Sequence, residues 1–111
     1  MERLAKAISE SQTIEYVRFY NCNMLTKQAA YLGQALAQNM ALKHLVLINT
    51  GLGDLAMTEL AKGISEAICL EYVDLRHNHF EERGWKALVD ALKTTMACQV
   101  LQIEGFHMNL N

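Results

Sequence analysis

The chain of 111 residues contains no proline. Its turns must therefore be made by glycine, asparagine and short polar loops. It also lacks any run near the roughly 18 consecutive apolar residues of a membrane span, and Met1 to Glu10 has no apolar core of the signal-peptide kind. Cysteine is scarce and odd in number. Cys22, Cys69 and Cys98 show no CxxC spacing, and no Asn-x-Ser/Thr acceptor is present, so neither a secreted disulfide framework nor structural zinc is indicated. Charge of one sign is missing too: 10 Lys and Arg stand against 12 Asp and Glu, a net of -2. No basic field is available to neutralise a phosphate backbone, which excludes nucleic acid and an anionic membrane surface as first expectations. These absences predict a cytoplasmic protein. Hydrophobic residues make up 51% and charged residues 20%, the balance of one packed domain rather than of a disordered chain.

What is present is a period. Ile14, Leu42, Leu70 and Cys98 are each 28 residues apart. In the same register run Val17, Leu45, Val73 and Leu101, then Phe19, Leu47, Leu75 and Ile103, and then Met24, Leu52, Phe80 and Met108. Alternation within each copy predicts a strand, and a fixed period in the range of roughly 20 to 50 residues predicts stacked units. Cys22, Thr50, Asn78 and Phe106 share a further column, where the first three can satisfy backbone groups as the chain leaves the strand. Phe106 cannot, which makes the last copy irregular.

Between strands the period changes to that of a helix. Ala29, Leu32, Gly33 and Leu36 fall at i, i+3, i+4 and i+7, as do Met57, Leu60, Ala61 and Ile64, and then Trp85, Leu88, Val89 and Leu92. Met1, Leu4, Ala5 and Ile8 occupy those columns one period earlier. Thr26 and Asp54 are placed to cap helix starts, and Glu81 and Glu82 suit the positive end of a helix dipole. The expected organisation is one domain over 1–111, with a partial helix at 1–12, units near 13–40, 41–68 and 69–96, and a partial unit at 97–111.

LEYVDLRHNHF at Leu70 to Phe80 and LKHLVLINTGL at Leu42 to Leu52 resemble the LxxLxLxxNxL pattern of leucine-rich repeats. The 28-residue period and the segment YLGQALAQNMALKHLVL from Tyr31 to Leu47 are similar to the ribonuclease-inhibitor-like subclass. The resemblance covers nearly the whole chain. It implies an α/β horseshoe segment of a solenoid, with about four parallel strands on a concave side and helices on a convex side. Such stacks need terminal units that shield their open ends. No separate cap is visible, so the chain is expected to be a segment of a longer array or a small protein whose ends another subunit or partner covers, and uncovered ends are expected to self-associate; the irregular tail ACQVLQIEGFHMNLN points to a C-terminal end.

Residues alternating with the buried columns would line the concave face. They are Tyr16, His44, Tyr72 and Val100; Arg18, Val46, Asp74 and Gln102; Tyr20, Ile48, Arg76 and Glu104. Tyr and Arg suit an interface, and exposed Val46 and Ile48 on one strand would need a partner. The expected function is protein binding through this face, with another protein as partner, no cofactor and no enzymatic activity. The alternatives are a regulatory domain of a longer receptor or effector, or a GTPase activator like the Ran regulator of the same subclass. A weaker one is a metal site built from His77, His79 and His107. The ordinary reading of those histidines is as solvated loop residues. Cys22, Cys69 and Cys98 are expected at or beside buried columns as small apolar groups, without a basic neighbour to activate a thiolate. GLGD at Gly51 to Asp54 is a turn rather than a nucleotide loop, and Trp85 is expected in the core.

Overall fold

Apolar alternation at Val17 and Phe19, Leu45 and Leu47, and Val73 and Leu75 gives each strand one face that must leave water, and a parallel sheet results. The computed structural model describes residues 1–94 and the backbone of residues 102–104. In chain order the elements are α1 (Glu2–Glu10), β1 (Tyr16–Tyr20), α2 (Thr26–Gln38), β2 (His44–Ile48), α3 (Asp54–Glu66), β3 (Tyr72–Asp74), α4 (Glu82–Thr94) and β4 (Gln102–Glu104). The strands lie in the order β1-β2-β3-β4 and all pair in parallel. Side chains are described for the first three strands. Parallel neighbours joined through right-handed crossovers put every helix on the same side. Accordingly α1 packs on α2, α2 on α3 and α3 on α4.

Val17 is the register partner of Leu45, and Leu45 of Val73, which keeps the 28-residue spacing. At the fourth strand the spacing changes. Val73 pairs with Ile103, Tyr72 with Gln102 and Asp74 with Glu104, so the expected place of Leu101 in this column is corrected. The spacing from β3 to β4 is thus 30 residues instead of 28. Leu101 itself, with Cys98, Val100, Phe106, His107 and Met108, lies outside the described residues.

The expected horseshoe segment is corrected as well. Sheet and helices form a small two-layer α/β globule with principal extents of 36 × 30 × 18 Å, and the described residues show no open arc. Its core lies between the layers, where Leu32, Leu45, Leu47, Met57, Leu60, Ile64, Val73 and Leu88 are fully buried. Each such side chain contributes roughly 1.5 to 3 kcal/mol through burial, which outweighs local preference. The outermost copy is less complete: Ile14, Val17 and Phe19 are only half-buried. Leu4 is 47% exposed and leaves the inward stripe expected for α1, whereas Ala5 and Ile8 keep it.

Two glycines set the distance between α2 and α3. A Cβ at Gly63 would lie 2.1 Å from the carbonyl oxygen of Gly33, and one at Gly33 would lie 2.7 Å from that of Glu59. Backbone meets backbone there, closer than any side chain allows. In α4 the buried residues are Gly84, Leu88 and Ala91, while Trp85, Val89 and Leu92 are half-buried. The helix therefore buries the flank that meets α3. Trp85 leans on Phe80 with ring centroids 4.6 Å apart.

The turns after the strands replace proline with residues that tolerate positive φ. Asn21, Asn49 and His77, each 28 residues apart, adopt φ values of 53°, 53° and 64°. Asn and His are among the residues that accept this region. Asn49 Nδ2 donates to Asn21 Oδ1 at 2.8 Å, joining consecutive turns. Asn78 does what its column predicts: Oδ1 accepts from the backbone N–H of Thr50 and Leu52, and Nδ2 donates to the carbonyls of Leu47 and Leu75.

Capping departs from expectation. Leu25 and Gly53 precede α2 and α3 without side-chain caps, and Thr26 and Asp54 are the first helical residues instead. Cys22 is exposed rather than buried, and Cys69 is half-buried with its Sγ donating to the carbonyl of Met40.

Candidate protein-docking face

The helices cover one side of the sheet and leave the other open. On that open side the alternation of β1, β2 and β3 places Tyr16, His44 and Tyr72 side by side, because they are register partners across three adjacent strands. Tyr16 and His44 stack with ring centroids 4.5 Å apart and an interplanar angle of 26°. His44 and Tyr72 follow at 5.4 Å and 36°. Cross-strand aromatic neighbours of this kind stabilise a sheet, and they also present one continuous rigid surface.

Along β1 the guanidinium of Arg18 lies 5.9 Å from the centroid of the Tyr16 ring. The ring face attracts the cation at that distance. Tyr16 is 56% exposed and Tyr20 52%, large apolar areas for residues whose neighbours are packed. Among the described residues no carboxylate forms an ion pair with Arg18.

The middle of the face differs from expectation. Val46 is 7% exposed and Ile48 is half-buried. Val46 is a short side chain with Arg18 and Asp74 as its register partners, so longer neighbours surround it. The two residues do not form an exposed aliphatic patch. Asp74 is corrected more strongly, being 2% exposed. Its carboxylate accepts from Arg76 Nε at 3.0 Å, Arg76 Nη2 at 2.8 Å and the Arg76 backbone N–H at 3.1 Å, and from the Tyr72 hydroxyl at 3.4 Å. Burial of the carboxyl opposes ionisation, but the hydrogen bonds and charge of Arg76 prevail and hold its pKa below the ordinary carboxylate value. Asp74 and Arg76 thus spend much of their polar capacity on each other. The side chains of Gln102 and Glu104 lie outside the described residues.

At the strand entrance Lys43 Nζ lies 3.0 Å from Glu15 Oε1. The hydrogen bond and charge of Glu15 raise the Lys43 pKa. Both side chains are solvated, so the pair adds little to stability.

The histidines of the metal alternative do not come together as a described group. His77 and His79 are exposed on the turn after β3, and His107 lies outside the described residues. Among the described residues no three His, Cys, Asp or Glu side chains converge. Also among them, no helix is long and apolar enough to cross a membrane.

Asn39 was missed by sequence reasoning. It is 3% exposed, its Nδ2 donates to the carbonyls of Ile8 and Ser11, and its Oδ1 accepts from the backbone N–H of Ala41 and Leu42. Ser11, one period earlier, accepts from Thr13 and Ile14 in the same way. The shared spacing of Ser11 and Asn39 was the available signal, obscured by Ala67 in the next copy.

No family model matches the chain. Among curated proteins it is similar to the centrosomal protein of 78 kDa of Homo sapiens, 25% identical over 93% of this chain, and to that of Mus musculus, 24% identical over 93%. The chain spans 18% and 16% of the length of these relatives. Among solved structures it is similar to leiomodin-1 actin-binding site 2, with a TM-score of 0.78, 17% identity, 91% of this chain and 58% of that one. The tropomodulin C-terminal domain of Caenorhabditis elegans gives a TM-score of 0.77 at 15% identity, over 92% of this chain and 61% of that one. The expected assignment to the ribonuclease-inhibitor-like leucine-rich repeats is corrected by these findings: what the comparisons show is the fold of the tropomodulin and leiomodin domains.

Proposed function

We propose that this chain is a protein-binding module whose partner docks on the open face of the sheet, over Tyr16, Arg18, Tyr20, His44 and Tyr72. The observation that carries this reading is the aromatic row that crosses three strands, with Tyr16 exposed to water at one end and His44 and Tyr72 half-buried beside it. Rigid aromatic area beside an arginine lacking a carboxylate partner is the composition from which interface hot spots are built. Burying such rings costs little side-chain entropy, so a partner gains area at low cost. Arg18 favours a partner that brings an acidic or carbonyl-rich surface.

A cytoskeletal setting is part of the proposal. One structural neighbour is described as an actin-binding site and the curated relatives as centrosomal proteins, which supports actin as the first partner to try. We read the chain as working without turnover of its own; accelerated GTP hydrolysis by a candidate GTPase would remove that part of the reading.

The test is co-sedimentation with actin filaments, and affinity capture from cytoskeletal extract, for the wild-type chain and a Tyr16→Ala, Tyr72→Ala double variant. Loss of the captured protein with the variant, at an unchanged melting temperature, is expected. Equal capture by both would overturn the assignment of the face. Absence of the wild-type chain from the filament pellet would remove actin while leaving the extract result to identify the partner.

A further inference from the structure

His44 is the middle member of the aromatic row, with the Tyr16 ring centroid at 4.5 Å on one side and that of Tyr72 at 5.4 Å on the other. Among the described residues no side-chain hydrogen bond reaches either of its ring nitrogens, and neither nitrogen is cut off from solvent. Charged neighbours on the open face are few. β1 contributes Arg18, 5.9 Å from the Tyr16 ring centroid. β3 contributes Asp74 and Arg76, which pair at 2.8 Å and cancel one another. Glu15, Lys43 and Glu71 stand just before the strands, on the parity of the inward side chains. There Lys43 pairs with Glu15 at 3.0 Å, and Glu15 and then Glu71 hold it charged. The described side chains of the open face thus carry one net positive charge, that of Arg18, in a chain whose net charge is -2.

We infer that the open face takes an acidic segment of its partner, and that His44 makes the hold on that segment depend on pH by standing, when protonated, as a second cation beside Arg18. The inference rests on the docking face proposed above. Histidine is the side chain whose ordinary change of charge falls between about pH 5 and 8. An imidazolium at this position meets tyrosine rings on two sides, and their electrons attract a cation, while Arg18 repels it. The net negative charge of Glu15, Lys43 and Glu71 at the strand entrance favours the protonated form. A carboxylate brought by the partner offsets the repulsion from Arg18 and accepts a hydrogen bond from the imidazolium. Protonation therefore doubles the positive charge of the face without moving a strand. By linkage, binding of the proton and of the acidic segment favour each other by the same factor. Asp74 does not compete with such a segment, since it is 2% exposed and already held by Arg76. For the same reason a basic segment finds no exposed carboxylate on the described part of this face.

The test titrates decaglutamate, and decalysine as its opposite, into the 111-residue chain. Amide NMR shifts and calorimetry follow binding at about pH 7.5 and about pH 6, either side of the ordinary histidine value. Decaglutamate is expected to shift the amides of β1, β2 and β3, and to bind about fivefold tighter at the lower pH, the effect of one added unit charge at contact in water. His44→Gln is expected to remove that gain, and Arg18→Gln to weaken binding at both pH values. A His77→Gln, His79→Gln, His107→Gln triple variant is expected to keep the gain, which separates His44 from the general rise in net charge as histidines protonate. Should His44→Gln lose its fold, His44→Phe preserves the aromatic row and is expected to show the same flat response. Decaglutamate binding no tighter than decalysine, a pH gain that persists in a folded His44 variant, or loss of the gain in the triple variant would each overturn the inference. A chain that captures its partner through Tyr16 and Tyr72 yet ignores decaglutamate sinks this inference alone. Equal capture by the tyrosine double variant sinks the docking face itself, so the two readings fail separately.

Discussion

Asp54, the first residue of α3, accepts through Oδ1 from the backbone N–H of Glu81 and Gly84 at the start of α4. The carboxylate thus caps the neighbouring helix and not its own. Unsatisfied N–H groups at a helix start favour an acceptor and a negative charge wherever they come from. A Cβ at Gly84 would approach within 3.0 Å of the same oxygen and 2.8 Å of the Phe80 ring, so the close approach depends on glycine there.

Asp54→Ala is expected to cost about 1 kcal/mol, the usual value of a lost cap, with Asp54→Asn losing less. Urea unfolding followed by circular dichroism measures it. If the helix that frays first in hydrogen exchange of the Ala variant is α3 rather than α4, the cross-unit cap is wrong.

Asn39 links the end of α1 to the segment before β2 through both ends of its amide. Its removal leaves buried donors and acceptors without partners, each worth about 1 to 3 kcal/mol. Asn39→Ala is therefore expected to lower stability by about 3 kcal/mol. A loss below that of the exposed control Gln38→Ala, in the same melting experiment, would show that the amide is dispensable.

The contact between α2 and α3 at Gly33 and Gly63 leaves no space for a methyl group. Gly63→Ala should push the helices apart at a cost of about 1 to 3 kcal/mol, despite the better helix propensity of alanine. Gly53→Ala, where a Cβ meets nothing within 4 Å, is the control. Comparable melting temperatures for the two variants would contradict the packing.

Asp74 has a pKa lowered in the folded chain, chiefly by Arg76 acting against burial. The group therefore contributes stability that is fully present above the unfolded carboxylate value, about 3.9, and is lost as pH falls through the folded value below it. The stability difference between wild type and Asp74→Asn is expected to be constant near neutrality and to shrink on acidification below about pH 4. Denaturation midpoints across a pH series measure this, and a difference that grows with acid would reverse the sign.

Loss of the aromatic row has a stability consequence that can be separated from docking. Tyr72→Ala is expected to cost more than Tyr16→Ala, since Tyr72 is half-buried on an inner strand and Tyr16 is exposed at the edge. Large-to-small changes scale with the area that leaves the packed interior. Thermal melts of the two single variants rank them, and the reverse order would place the packing of the row elsewhere.

The 28-residue period by itself determined which residues become strands, which become helices, and that Val17, Leu45 and Val73 share a column. Hydrophobic alternation is a local signal, and burial of both a sheet face and a helix stripe has one simple solution when units stack. The aromatic row of Tyr16, His44 and Tyr72 was legible for the same reason. What the period could not carry was anything depending on distance between units. The burial of Val46 and Asp74, the cap that Asp54 gives to α4, the amide of Asn39 and the meeting of Gly33 with Gly63 all arise between chain segments about one unit apart. The compact two-layer form and the offset of β4 belong with them. Tertiary structure decided these because hydrogen bonds and steric contacts act over a few ångströms, and only packing brings the partners that close.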